Sequence, residues 1–73
     1  MKVADLDALL AKSNIPPDSY CLTGGLPNEC YCLEQLTNGK WQVYYSERGL
    51  RTGPMEFETE GEACDYFCRN FMA

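Results

Sequence analysis

The sequence predicts an α+β fold: a small antiparallel meander of three to four strands, with N- and C-terminal helices packed on one face. Three observations predict it. Apolar residues recur at helical spacing at both ends of the chain, the middle alternates between apolar and polar residues, and Gly, Pro and Asn interrupt that alternation. With 73 residues and a hydrophobic fraction of 45%, the chain has the size and composition of one globular domain, residues 1–73.

The first element is a predicted helix over residues 3–13. Four apolar residues fall on one helical face: Val3, Leu6, Leu9 and Leu10. Asn14 and the following Pro-Pro pair end the helix. A short strand, SYCL, is expected next, followed by the loop TGGLPNE. Its Gly-Gly pair lacks the spacing of a phosphate-binding loop, so we interpret it as a turn.

The central prediction is a β-hairpin over residues 30–47, CYCLEQLTNGKWQVYYSE, which turns at Asn38-Gly39. Asn-Gly best tolerates the positive φ angles of a two-residue type I′ turn. Such a turn pairs Leu36 with Trp41, and opposed residues share a face. The predicted core face therefore carries Cys32, Leu36, Trp41, Val43 and Tyr45, with Glu34 as the one misfit. The predicted open face is mostly polar but includes Tyr31, Leu33 and Tyr44.

The remaining chain predicts one more strand and one more helix. Arg48-Gly49 is suited to a second tight turn, after which residues 50–57 return as a strand. Gly53-Pro54 interrupts this strand, so it should lie at an edge or carry a bulge. The sequence TEGE, residues 59–62, is a capping box. It opens a helix whose apolar face holds Ala63, Cys64, Phe67, Cys68 and Phe71.

Most of the five cysteines are interpreted as reduced, buried, small apolar residues. Their count is odd, and the spacings Cys30-x-Cys32 and Cys64-x3-Cys68 are not those of a zinc knuckle. A metal site and a disulfide or redox role remain as alternatives, and no metal or cofactor is expected.

The residue inventory does not favour an enzyme. The sequence contains no histidine, which removes the commonest general base and every Ser-His or Cys-His site. Glu34 is the carboxylate of most interest because the predicted alternation directs it toward the core. Two outcomes are open for it: a partner, Arg48 or Arg51, or access to water at the edge of the hairpin.

Charge and hydropathy limit the classes of partner. The net charge of −5 and the sequence pI of about 4.4 exclude direct nucleic-acid binding and favour a basic partner. No apolar run is long enough to cross a membrane. The first twelve residues carry Asp5 and Asp7 within their apolar pattern, unlike a signal peptide, so the expected location is the cytoplasm.

A partner-binding surface is predicted on the open face of the hairpin and in the adjoining segment SERGLR. Large aromatic side chains in a polar surround are typical of interface anchors, and Arg is common in interfaces. The alternatives are self-association and no role at all. The predicted partner-binding residues are Tyr31, Leu33, Gln35, Gln42, Tyr44, Glu47, Arg48 and Arg51.

The segment WQVYYSERGLRTGPMEFETEGEACDYF, residues 41–67, resembles small bacterial immunity proteins of polymorphic toxin and contact-dependent growth inhibition systems. The shared pattern is an aromatic strand, a Y-S-E-R-G-type turn, and an aromatic residue before a T/S-E-x-E-A-C helix start. The resemblance implies a non-enzymatic protein that neutralises a cognate toxin, often a nuclease, in the cytoplasm. It carries over no functional residue. The alternatives are a small interaction module or homodimer without a toxin partner, and a cysteine-dependent redox or metal-binding protein.

Overall fold

The computed structural model describes residues 1–71, which form two α-helices and a four-stranded sheet. In chain order the elements are α1 (Val3–Lys12), β1 (Tyr20–Cys21), β2 (Cys30–Gln35), β3 (Trp41–Glu47), β4 (Leu50–Phe57) and α2 (Glu60–Phe71), with a 3₁₀ turn at Pro17–Ser19. The strands lie side by side in chain order. The predicted α+β architecture, with a helix before and after the sheet, is confirmed.

The prediction of a purely antiparallel sheet is wrong for its first strand. β1 pairs with β2 in parallel, with Tyr20 beside Tyr31 and Cys21 beside Cys32. Residues 22–29, which we call the covering loop, make this pairing by crossing the sheet before β2 begins. Near the start of this loop Gly24 has a φ of +84°, a backbone conformation that residues with a side chain rarely adopt. The composition of the loop predicted a turn, but it does not indicate whether β1 and β2 are parallel or antiparallel.

Side-chain oxygens accept hydrogen bonds from the first N–H groups of both helices, and the two helices lie against each other. In α1, the Lys2 N–H donates to Asp5 at 3.0 Å, and the Val3 N–H donates to Glu60 Oε2 of α2 at 2.7 Å. These carboxylates satisfy N–H groups that have no partner inside the helix. In α2, the predicted cap is confirmed, because the Glu62 N–H donates to Thr59 Oγ1 at 3.2 Å.

The main core lies between the helices and one face of the sheet, which we call the helix face. It consists of Leu6, Leu10, Leu33, Val43, Ala63, Cys64 and Phe67, all at most 1% exposed. Tyr31 joins this core from β2: its ring lies 4.8 Å from that of Phe67 and is stacked on that of Phe71 at 5.4 Å. The apolar stripes predicted for both helices therefore meet the same side of the sheet.

The β2–β3 hairpin differs from the predicted one by a single residue of register. The Leu36 N–H donates to the Lys40 carbonyl oxygen at 2.7 Å, and the Gly39 N–H donates to the Leu36 carbonyl oxygen at 3.0 Å. Only Gly39, at +88°, has a positive φ in this turn. This is a three-residue loop, Thr37 to Gly39, with a glycine bulge, rather than the two-residue type I′ turn that Asn-Gly predicts.

The changed register moves β2 residues to the opposite face from the predicted one. Leu33 pairs with Val43 and Cys32 pairs with Tyr44. Tyr31 and Leu33 thus belong to the helix face. The second face, which we call the loop face, carries Cys30, Cys32, Glu34, Gln42, Tyr44 and Ser46. The faces predicted for Trp41, Val43 and Tyr45 in β3 are confirmed. The faces predicted for β2 are reversed, because side chains alternate between faces and a shift of one residue exchanges them.

The β3–β4 hairpin forms as predicted. Glu47 pairs with Leu50 across Arg48-Gly49, whose φ angles of +52° and +75° are those of a type I′ turn. The register then shifts between Val43 and Tyr45, where Gly53-Pro54 supplies the extra residue of a bulge. β4 is also an edge strand. The edge position and the bulge, which were predicted as alternatives for Gly53-Pro54, are therefore both present.

Candidate functional site

A polar network fastens the covering loop to the loop face. Glu34 Oε1 accepts a hydrogen bond from the Gly25 N–H at 3.2 Å and forms an ion pair with Arg51 Nη2 at 3.0 Å. Arg51 also donates to Gln42 Oε1, and its guanidinium lies 4.2 Å from the centre of the Tyr44 ring. Of the two predicted outcomes for Glu34, the structure shows an ion-pair partner, and that partner is Arg51 and not Arg48.

The Tyr44 hydroxyl joins the same network from β3. It lies 2.6 Å from the Gly25 carbonyl oxygen and 3.1 Å from Glu34 Oε1, so two acceptors share one phenolic proton. Burial first, then the negative charge of neighbouring groups, raises the pKa of Tyr44 above its ordinary value. The phenol therefore serves as a hydrogen-bond donor that holds the loop at Gly25.

Glu34 is ionised in this setting although it is partly buried. Burial raises its pKa and is the largest single influence, but hydrogen bonds from Gly25, Arg51 and Tyr44 together outweigh it. The resulting pKa of Glu34 lies below the ordinary value of 4.5. Its negative charge is thus matched by Arg51 within the protein rather than presented to a partner.

Gly24 lets the covering loop approach this carboxylate closely. A Cβ added there would lie 2.6 Å from Glu34 Oε1, and φ at Gly24 is +84°. At the neighbouring Gly25, φ is +89° but no atom lies within 4 Å of such a Cβ. Gly24 is therefore needed both for its positive φ and for the space that a Cβ would occupy. Gly25 is needed only for its positive φ.

The cysteines on this side of the sheet form a second, small core. Cys30, Cys32 and Tyr44 are buried together, with Cys21 packed against them. Burial, followed by the neighbouring thiols, raises the pKa of Cys32 to about 11. Among residues 1–71, no three His, Cys, Asp or Glu side chains are arranged to hold a metal ion. The small apolar role predicted for these residues agrees with their burial.

The exposed aromatic anchor group predicted on the hairpin is not present. Tyr31 and Leu33 lie under α2 on the helix face, and Leu33 has no exposed surface. Tyr44 points to the opposite face, where the covering loop leaves it 1% exposed. The prediction that these three share an open face is wrong because it depended on the register of the Asn38-Gly39 turn. Their participation in binding stays untested, but the exposure that suggested it is absent.

The polar members of the predicted site are distributed over both faces. Gln35 is exposed at the end of β2, whereas Gln42 and Arg51 belong to the network around Glu34. Glu47 and Arg48 lie at the β3–β4 turn, where Asn28 Oδ1 of the covering loop accepts a hydrogen bond from the Arg48 N–H at 3.2 Å. Of the two surfaces predicted for a partner, this turn is the accessible one.

An exposed apolar surface continues from this turn along β4. Leu50 is 67% exposed and Met55 is 46% exposed. The pairing of β4 with β3 assigns both to the helix face, beyond the part that the helices cover. We call this surface the open strip and define it as Tyr45, Glu47, Leu50, Thr52 and Met55. The sequence pattern does not indicate Leu50 or Met55, because the bulge at Gly53-Pro54 decides which residues of β4 share a face.

The open strip has an acidic border. Reduced solvation, followed by the carboxylates of Glu29 and Glu47, raises the pKa of Tyr45, so these groups are close enough to interact. Within residues 1–71 the ion pairs are Lys40–Glu58 at 3.3 Å and Arg51–Glu34 at 3.0 Å. Neither pair involves Glu29 or Glu47. An apolar surface with unpaired carboxylates at its margin is suited to a basic protein partner.

Comparison with protein-family models finds no matching family, and comparisons with curated proteins and with solved structures find no match either. Neither helix within residues 1–71 is both long enough and apolar enough to pass through a bilayer.

Proposed function

We propose that this protein is a cytoplasmic immunity protein that binds a cognate bacterial toxin and neutralises it without catalysing a reaction. The toxin is a basic domain, of the kind found in nucleases, and the immunity protein occludes its active site or substrate groove. The observation that carries the proposal is the coincidence of two features in one segment. Residues 41–67, which resemble such immunity proteins, span β3, β4 and the start of α2, and the open strip lies on β3 and β4.

Surface charge supports a basic partner. The chain has 11 acidic and 6 basic residues. Two of the basic residues, Lys40 and Arg51, are paired with carboxylates within the protein. The carboxylates at the border of the open strip therefore remain available to attract a positively charged surface and to speed its association.

The open strip supplies the apolar contacts that such a complex needs. Leu50 and Met55 lie on the same face of β4 with Thr52 between them, and Tyr45 lies opposite Thr52 on β3. In protein interfaces a few apolar and aromatic side chains contribute most of the binding energy, and charged residues surround them. A toxin seated on this strip would contact the side chains of the β3–β4 hairpin and leave the core undisturbed.

The proposal is tested by co-expression with the neighbouring toxin gene product and by direct binding to that polypeptide. We expect a tight 1:1 complex and restored growth of cells that produce the toxin. Leu50→Asp should weaken binding by about tenfold or more, because it places a charge at the centre of the apolar contact.

Leu26→Asp is the matched control, since Leu26 is 49% exposed but lies on the covering loop. If both variants weaken toxin binding equally, the open strip is not the binding surface. A neighbouring product that is harmless, or that does not bind, would refute the immunity function itself.

One observation favours a second candidate, a small interaction module that forms homodimers. The eight residues of β4 form an exposed edge strand, and such edges pair with a second copy of the same chain. This candidate predicts a molecular mass that rises with protein concentration in sedimentation equilibrium, without a toxin.

A further inference from the structure

β4 leaves an unpaired backbone edge beside the open strip. It is the last strand of the sheet, and every residue from Leu50 to Glu56 is exposed. An edge strand directs alternate N–H and C=O groups away from its neighbour, so it is a template on which another strand can pair.

The phase of the hydrogen-bond ladder identifies which groups of β4 are unpaired. The Leu36 N–H bonds to the Lys40 carbonyl oxygen. Because bonded pairs alternate along an antiparallel ladder, even-numbered residues of β3 bond to β2 and odd-numbered residues bond to β4. Arg51 and Glu56 are paired with even-numbered residues of β3. Their N–H and C=O groups therefore face the open edge.

The bulge divides this edge into two short segments. Pro54 lies between Arg51 and Glu56 and has no N–H to donate. The outward N–H groups of Arg51 and Glu56 are therefore the two donors on either side of the proline. An added strand must bond at these two positions and pass Pro54 without a hydrogen bond from it.

Charge selects the class of strand that fits. Each copy of the chain carries a net charge of −5, and neither Glu47 nor Glu56, which lie on the β3–β4 hairpin, is in an ion pair. Two copies of net charge −5 repel each other as they approach, which disfavours association through β4. A strand rich in lysine or arginine would instead place positive side chains beside Glu47 and Glu56.

We propose that β4 accepts an extended basic segment of a partner protein as a fifth strand, bonded to the outward backbone groups of Arg51 and Glu56. The segment lies beside the open strip, so its apolar side chains contact Leu50 and Met55. This inference rests on the proposed function for the identity of the partner, the toxin, and adds how the toxin is held.

The test uses the full chain and a short synthetic peptide of alternating lysine and valine residues, observed by amide hydrogen exchange. Bound peptide should slow exchange of the Arg51 and Glu56 amides by about fivefold or more, the equivalent of one hydrogen bond each. Glu56→Pro removes both the charge and the N–H, whereas Glu56→Ala removes only the charge. Binding of the peptide should therefore be about fivefold weaker to Glu56→Pro than to Glu56→Ala.

Circular dichroism of both variants establishes that they are folded, as expected because the Glu56 N–H that proline removes has no partner within the sheet. Equal affinity of the two variants, unchanged exchange at Arg51 and Glu56, or absence of peptide binding would each overturn the inference. So would protection of the same amides by self-association of the free protein. Toxin neutralisation is measured separately by cell growth, so loss of strand pairing with intact neutralisation refutes the inference alone.

Discussion

The two faces of the sheet are held by different kinds of interaction. The helix face is covered by two helices through apolar contacts, with Phe67 and Leu33 fully buried. The loop face is covered by eight residues without helix or strand, residues 22–29, and its contacts are polar, centred on Glu34 and Tyr44. The hydrophobic effect does not depend on the orientation of the groups in contact, whereas a polar network requires every donor to meet an acceptor in the correct geometry.

The difference teaches where this small domain obtains stability and where it obtains a defined conformation. The helix face supplies the hydrophobic free energy. The loop face adds little apolar area but fixes the covering loop, and through Asn28 it also contacts the β3–β4 turn at Arg48. We therefore expect substitutions on the helix face to lower stability most, and substitutions on the loop face to change loop geometry and pH dependence.

The largest effect is expected for Phe67→Ala on the helix face. It removes the ring that packs on Tyr31 at 4.8 Å and leaves a cavity between α2 and the sheet. The free energy of unfolding should fall by about 3–5 kcal/mol, measured by urea denaturation. Phe67→Leu, which keeps most of the volume, is the milder variant for use if Phe67→Ala does not fold. A loss of less than about 1 kcal/mol for Phe67→Ala would mean that the helix face is not the main source of stability.

A smaller effect is expected for Gly24→Ala on the loop face. The added Cβ would lie 2.6 Å from Glu34 Oε1, and φ of +84° strains any side chain. We expect a loss of about 1–3 kcal/mol, together with displacement of the covering loop visible in the amide shift of Gly25.

Gly25→Ala is the matched control for Gly24→Ala. Its φ of +89° imposes a similar backbone strain, but nothing lies within 4 Å of the new Cβ. The difference between the two variants measures the contact with Glu34. Equal losses would indicate that only backbone conformation matters at this pair, and that the Glu34 network does not restrict the loop.

The smallest effect is expected for Glu34→Gln, and it should depend on pH. Burial opposes ionisation of Glu34, but the Gly25, Arg51 and Tyr44 hydrogen bonds bring its folded-state pKa below the ordinary value of 4.5. The ionised carboxylate therefore contributes stability above the unfolded-state pKa, and this contribution is lost as pH falls through the folded-state pKa.

Wild-type protein should exceed Glu34→Gln in stability by about 1 kcal/mol near pH 7, and the difference should vanish in acid. Glu56→Gln on exposed β4 is the control for removing one negative charge. Denaturation at a series of pH values checks the prediction. A difference between wild type and Glu34→Gln that is independent of pH would mean that the ion pair with Arg51 contributes nothing.

The two hairpin turns illustrate how much could be predicted. Arg48-Gly49 forms the expected tight turn, and β4 follows over the predicted residues 50–57. Asn38-Gly39 also favours such a turn, yet Thr37 joins the loop, and Asn38 Oδ1 accepts a hydrogen bond from the Lys40 N–H at 3.0 Å. Both registers leave plausible apolar residues on each face of β2, so alternation could not decide between them.

That single residue of register also decided the candidate site. It placed Tyr31, partly buried, and Leu33, fully buried, under α2, and it placed Tyr44 under the covering loop. It left the predicted turn residues Glu47 and Arg48 at the surface. Burial of side chains depends on which elements cover them, and the sequence gives no direct signal that residues 22–29 fold across the sheet.

The sequence by itself determined the two helices and their apolar faces, the existence and order of the long strands, and an edge position or a bulge for β4 at Gly53-Pro54. These depend on local spacing and on residues with restricted backbones. Only the tertiary structure decided the parallel pairing of β1, the register of β2, the ion pair of Glu34 with Arg51, and the exposure of Leu50 and Met55. Each of these depends on contacts between residues distant in the chain, where small differences in packing free energy select one arrangement.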